Sequence, residues 1–233
     1  MSSRELHFET RAIRAGQEPD EATGATIVPV YQTVTYTHEA IAQFFAERGF
    51  IVAFAQRRGR GKSDGLYDEG FTPDRSAYSC LQGPALAGFE RALLDVDAAV
   101  EYVRNRADVD EARLLGGGIL AVAHAGQRRG LFKGAVNFVG GWLGEGCADA
   151  VVVNRTAFVR GAAFDRRTIW LYGENDSFYS LAHSRRNFDA FVAAGGQATF
   201  FAYTRAANLN GHFIINDPAL WTVELDAFLR QVD

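Results

Sequence analysis

From Phe50 onward, short apolar runs alternate with longer stretches whose apolar residues recur three and four positions apart. The runs lie at residues 50–55, 135–139, 168–172 and 198–203, with another ending at Leu115. Continuous apolar runs of this length predict strands buried on both faces, as in a parallel sheet. The helical stripes include Ile41, Phe44 and Phe45, closing at Gly49, and Phe89, Leu93, Val96, Val100 and Val103, with Asp95, Asp97 and Glu101 between them. Further helices are expected at 119–126 and 181–194, and a last one carries Trp221, Leu225, Phe228, Leu229 and Val232. Strand–helix alternation predicts an α/β fold with a doubly wound, mostly parallel sheet. A chain of 233 residues can bury one sizeable core.

Residues 1–36 have a different character. The stretch 8–20 is polar with no helical stripe, and 22–33 mixes turn residues with a β-prone segment broken by Pro29. It predicts an extended arm ahead of an α/β domain at 37–233. The formal net charge of -4 provides no basic footprint for nucleic acid. No apolar run approaches the length of a membrane span, and the first residues have no signal-peptide core, which predicts a cytoplasmic protein. Cys80 and Cys147 are too few for a disulfide framework or a zinc site, so two reduced thiols are expected. Neither a metal nor a cofactor is expected.

Three segments bear on chemistry. Residues 56–65 end in Gly61-Lys62-Ser63, like a phosphate-binding loop, but Gln56 stands where that motif needs its first glycine, so a structural turn is the better reading. Residues 171–179 form a strand running into Gly173-Glu174-Asn175-Asp176, and functional groups gather at the carboxyl ends of parallel strands. Asp176 is the favoured acid, Glu174 its rival; an N-cap for the next helix is the structural alternative, with Ser177 and Ser180 also able to cap. Of the five histidines, His212 lies in the loop after the last predicted strand and before the last helix. An acid followed by a loop histidine suits a carboxylate that fixes an imidazole for general-base work.

Two resemblances rest on these residues. Residues 39–233 resemble an α/β-hydrolase of the dienelactone-hydrolase or serine-peptidase-like esterase kind, most clearly at 57–65, 93–104, 138–147 and 171–179. The resemblance implies ester or amide (acyl) hydrolysis of a small-molecule acyl substrate, with Asp176 and His212 as triad acid and base. The arm resembles pyridoxal-phosphate enzymes of cysteine and methionine metabolism of the cystathionine γ-synthase type, through residues 10–16, 20–25 and 29–36. That resemblance stops before the family's Schiff-base lysine; Lys62 and Lys133 are the only lysines and lack its flanking sequence.

The hydrolase pattern breaks twice. The arm occupies the place of the first strands and of the "H-G" loop that supplies an oxyanion donor. Where the family reads G-x-S-x-G, this chain reads Gly116-Gly117-Gly118, as if about five residues including the nucleophile had been deleted. Ser79, Cys80 and Ser177 are the nearest substitutes, but no serine or cysteine has the glycine frame of a nucleophile elbow. A hydrolase-class protein with impaired catalysis is therefore expected. The alternatives are a non-catalytic binding protein whose pocket is lined by Trp142 and Tyr179, a pyridoxal-phosphate enzyme fragment, or a chain joined from parts with no shared function.

Overall fold

The computed structural model describes residues 39–60, 63–66, 68–70, 79–107, 109, 115–206 and 209–232. The arm at 1–36 and Lys62 therefore lie outside the described residues. Four strands, β1 (Leu115–Gly117), β2 (Gly134–Phe138), β3 (Arg167–Gly173) and β4 (Gln197–Tyr203), lie in chain order with every pair parallel. Val136 stands opposite Ile169, and Ile169 opposite Thr199. The helices are α1 (Glu39–Ala46), α2 (Gln82–Arg104), α3 (Gly118–Gln127), α4 (Ala150–Gly161), α5 (Leu181–Ala193) and α6 (Pro218–Val232).

The period-two alternation of the strands divides the core. On β3, Trp170 is fully buried among Phe158 of α4 and Phe188 and Phe191 of α5, with Tyr172 beside it on the same face. On the opposite face Phe138 of β2 packs edge-on against Trp221 of α6, which also meets Phe44 of α1. The sheet is thus covered by α3, α4 and α5 on one side, with α2 packed on α3 and α4, and by α1 and α6 on the other. The doubly wound parallel architecture is as the sequence predicted. Gly49, at φ +81°, follows α1 as the expected stop.

Three readings are corrected. Residues 50–55 form no strand: Ile51 is 52% exposed, and the segment joins no hydrogen-bonded ladder among the described residues. Apolar content alone cannot make a strand whose peptide groups find no neighbour. Helix α4 was not foreseen. Its β-prone Val151-Val152-Val153 run obscures a helical face in which Ala150, Val153, Asn154, Ala157, Phe158 and Gly161 are buried. Cys80 and Cys147 are not reduced thiols but a disulfide, with their α-carbons 4.9 Å apart. The segments leading into α2 and α4 bring them together, where Asp149 N–H donates to Cys80 O and Gln82 N–H to Asp149 Oδ2.

The 56–65 loop is a turn, as read, so far as it is described. Gly59 N–H donates to Asp64 O, Arg58 Nη2 lies 2.6 Å from Asp95 Oδ1, and Arg57 and Arg60 flank Glu69 at 3.1 and 2.9 Å. Burial pushes the Glu69 carboxyl upward, against the pull of Arg57 and Arg60. Asp97 and Glu101, on the polar positions of α2, reach His124 of α3 and Arg128 just beyond it. No helix among the described residues is long and apolar enough to cross a membrane. No cluster of three or more metal-ligating side chains occurs among them.

Candidate functional site

The carboxyl edge of the sheet gathers the ends of β1 to β4 and the segments leaving them. Beyond β3 the chain turns through Asn175, at φ +56°, an αL position that Asn tolerates. Asp176 follows with its side chain fully buried. Its Oδ1 accepts the N–H groups of Phe178 at 2.7 Å and Tyr179 at 3.1 Å, and its Oδ2 lies 3.0 Å from His212 Nδ1. One Asp176 oxygen thus organises its own turn and the other faces the imidazole. Glu174 points elsewhere, its Oε2 accepting the Thr204 hydroxyl at 2.7 Å. Ser180, not Asp176, caps α5, its Oγ accepting His183 N–H.

His212 is the second residue of the 3₁₀ segment Gly211–Asn216, between β4 and α6. The loop reaches β3 because two glycines meet. A side-chain carbon on Gly173 would lie 2.3 Å from Gly211 O, and one on Gly211 would lie 2.0 Å from Glu174 O. Asn210 completes the junction, a role that sequence reading missed. Its Oδ1 accepts His212 N–H at 2.9 Å and Ser177 N–H at 3.2 Å, while its Nδ2 donates to Ser177 Oγ at 2.8 Å. With Nδ1–H directed at the carboxylate, the tautomer leaves Nε2 as an acceptor. No described residue bonds Nε2, and the His212 side chain is 26% exposed.

Aromatic rings surround this imidazole. Phe178 lies 4.6 Å from it centroid to centroid, Phe213 5.6 Å and Tyr179 5.9 Å. Phe178 is 48% exposed, whereas Tyr179 is buried and its phenol is pushed well above the ordinary tyrosine value, by burial and then by Asp176. Tyr179 leans on Gly141, where a side-chain carbon would come within 2.3 Å of the ring. Trp142 lies farther back. Its indole N–H donates to Ala85 O and its backbone N–H to Asn154 Oδ1.

Below Gly141, Asn137 Nδ2 donates to the Tyr172 hydroxyl at 2.9 Å, which donates to Gly140 O at 2.7 Å. Val139, at φ +40° and buried, supplies backbone strain at the end of β2, its N–H held by Leu171 O. Gly140 abuts the start of α3: a side-chain carbon there would lie 3.0 Å from Ile119 N. At the glycine junction β1 ends at Gly117 and α3 begins at Gly118, at φ +79°.

None of the three substitute nucleophiles considered is seen bonded to the His212 ring among the described residues. Cys80 is bonded to Cys147, Ser79 Oγ accepts Leu81 N–H, and Ser177 Oγ is taken by Asn210.

No protein-family model matches the chain. Its structure is similar to an esterase from Pyrococcus furiosus with a TM-score of 0.59 and 13% identity, over 84% of this chain and 75% of that one. It is also similar to an acetyl xylan esterase from Paenibacillus sp. R4 with a TM-score of 0.48 and 16% identity, over 76% of this chain and 63% of that one. In sequence, 34 residues are 59% identical to a probable cystathionine gamma-synthase of Herpetosiphon aurantiacus, 15% of this chain and 11% of that protein's length. The architecture and the first of these likenesses give the chain an α/β-hydrolase-like fold, with a sheet of four strands among the described residues.

Proposed function

We propose that the chain carries a site of the ester or amide (acyl) hydrolase class in which the acid Asp176 and the base His212 persist without a serine or cysteine nucleophile. The observation that carries this reading is the Asp176 Oδ2 to His212 Nδ1 contact of 3.0 Å, with Nε2 unbonded by any described residue. A carboxylate holding one imidazole nitrogen makes the other a base and stabilises the imidazolium that forms. Without an activated hydroxyl or thiol beside Nε2, no acyl-enzyme forms and turnover falls far below that of an intact triad. The ligand is a small acyl compound, and catalysis is impaired.

The test is exposure of the full chain to a fluorophosphonate probe, followed by mass spectrometry, with ester turnover measured in parallel. The expected result is no stoichiometric label and only slow turnover. One residue labelled stoichiometrically in a chain with rapid turnover would overturn the reading.

A second reading, a binding protein, is favoured by the rings of Phe178, Tyr179 and Phe213 around His212. It predicts thermal stabilisation by aryl carboxylates with no turnover at all. The pyridoxal-phosphate alternative has only the 34-residue likeness behind it. Absence of cofactor absorbance after reconstitution would dispose of it.

A further inference from the structure

We propose that the Tyr179 hydroxyl is the hydrogen-bond donor to the carbonyl oxygen of the ligand, and that the ligand is an aryl acyl compound held beside Asp176 and His212. This rests on the acyl reading given above. Three rings form a compact triangle at the carboxyl edge of the sheet. The centroids of Phe178 and His212 lie 4.6 Å apart, those of Tyr179 and His212 5.9 Å, and those of Phe178 and Tyr179 6.4 Å. Asp176 builds the triangle, since one of its oxygens accepts the N–H groups of Phe178 and Tyr179 while the other faces the imidazole.

The phenol is the fixed member of the three. Gly141 lies against it, where a side-chain carbon would come within 2.3 Å of Cζ and 2.8 Å of the hydroxyl oxygen. The His183 ring stacks on it, with centroids 6.0 Å and planes 26° apart. Only 7% of the residue is exposed. No described residue bonds the hydroxyl, whose oxygen is not fully enclosed. A polar group buried to this degree takes its partner from water or from a ligand. Because the ring is wedged, the oxygen already stands in place in the free protein, and a ligand meets a prepared donor.

The chemistry of this donor suits an acyl oxygen. Burial, and then the Asp176 charge, keeps the phenol protonated far above neutral pH. It therefore donates without carrying charge of its own. A lysine or arginine in the same place would compete with His212 for the Asp176 carboxylate, whereas a neutral O–H leaves that contact alone. Phe178 supplies the apolar side: it lies beside His212, is 48% exposed, and offers an aryl group a flat face.

The test is calorimetric binding of benzamide and of thiobenzamide to the full chain, with Tyr179→Phe and His212→Gln alongside. An amide reads binding without turnover, and sulfur is a much weaker acceptor than oxygen in the same position. The wild type is expected to bind benzamide. Tyr179→Phe is expected to weaken it about fivefold, the net worth of one hydrogen bond, and to change thiobenzamide by less than about twofold. An equal loss for both amides, or for neither, would overturn the role of the hydroxyl. If binding then still depends on His212, the acyl reading stands without it. Binding indifferent to His212→Gln would put the ligand away from the dyad and overturn both. A wild type that binds neither amide overturns the proposal, and the fluorophosphonate and turnover measurements decide the acyl reading separately. If Tyr179→Phe does not fold, the wild type decides: benzamide bound more tightly than thiobenzamide supports the donor, and equal or weaker binding overturns it.

Discussion

Gly173 and Gly211 meet backbone to backbone, so closely that a methyl group on Gly211 would lie 2.0 Å from the Glu174 carbonyl oxygen. This contact lets a loop 36 residues downstream of Asp176 bring His212 onto its carboxylate. Both glycines thereby set the 3.0 Å contact between the two side chains.

Gly211→Ala is therefore expected to lift the His212 loop off the end of β3. Overpacking against backbone costs about 1–3 kcal/mol. Urea denaturation should show the loss in stability. An unchanged denaturation midpoint would show that the loop can bear the methyl.

The Cys80–Cys147 bridge closes a span of 67 residues. On the chain-entropy account a loop of that size stabilises the fold by about 4 kcal/mol, and reduction should lower the melting temperature accordingly. A thiol assay on denatured, unreduced protein should find no free thiol, and two after reduction. Bridges of this kind persist in oxidising compartments. Two reactive thiols before reduction would instead favour the cytoplasmic expectation from the sequence.

Burial holds the His183 imidazole below the ordinary histidine value, with Glu145 and Arg186 as opposing smaller influences. Its Nε2 lies 3.0 Å from Asn154 Nδ2, whose partner oxygen already accepts two backbone N–H groups, so His183 must accept there and be neutral. Above the unfolded value of about 6.5 both states are neutral and this stability is fully present. As pH falls through 6.5, the unfolded chain takes a proton that the folded chain refuses, and stability declines. Denaturation midpoints between pH 7.5 and 5.5 should fall, and His183→Gln should flatten the slope.

Asn154→Ala should be among the costlier changes near the site. Asn154 Oδ1 accepts Trp142 N–H and Leu143 N–H, and its Nδ2 donates to Leu143 O. Removing it strands two backbone donors at about 1–3 kcal/mol each. A loss below 1 kcal/mol in urea unfolding would mean that the 140–143 loop re-forms its bonds elsewhere.

Most of the scaffold was legible in the chain because each element carries one periodicity. β3 and α6 could be read from their apolar spacing alone. α4 was not, since its three consecutive valines favour a strand until Asn154 and Phe158 are seen to share a face. Residues 50–55 misled for the opposite reason: composition gives no information about whether a neighbouring strand exists. Asp176 and His212 could be named from their order and their place after strands. Asn210 could not, because its role arises only where two loops meet. The glycine cluster reads in sequence as lost residues, and the left-handed dihedral of Gly118 could not be read from it.

The covalent ring closed by Cys80 and Cys147 encloses Gly118, Gly140 and Gly141, while Asp176 and His212 lie outside it. A protease cutting at the exposed Arg129–Gly130 turn would sever the peptide chain inside the ring. The two pieces would remain one molecule until a reductant opened the bridge. Gly118 is thus tied to Cys147 by two covalent routes, and a single cut among the residues inside the ring cannot part it from Asp176 and His212.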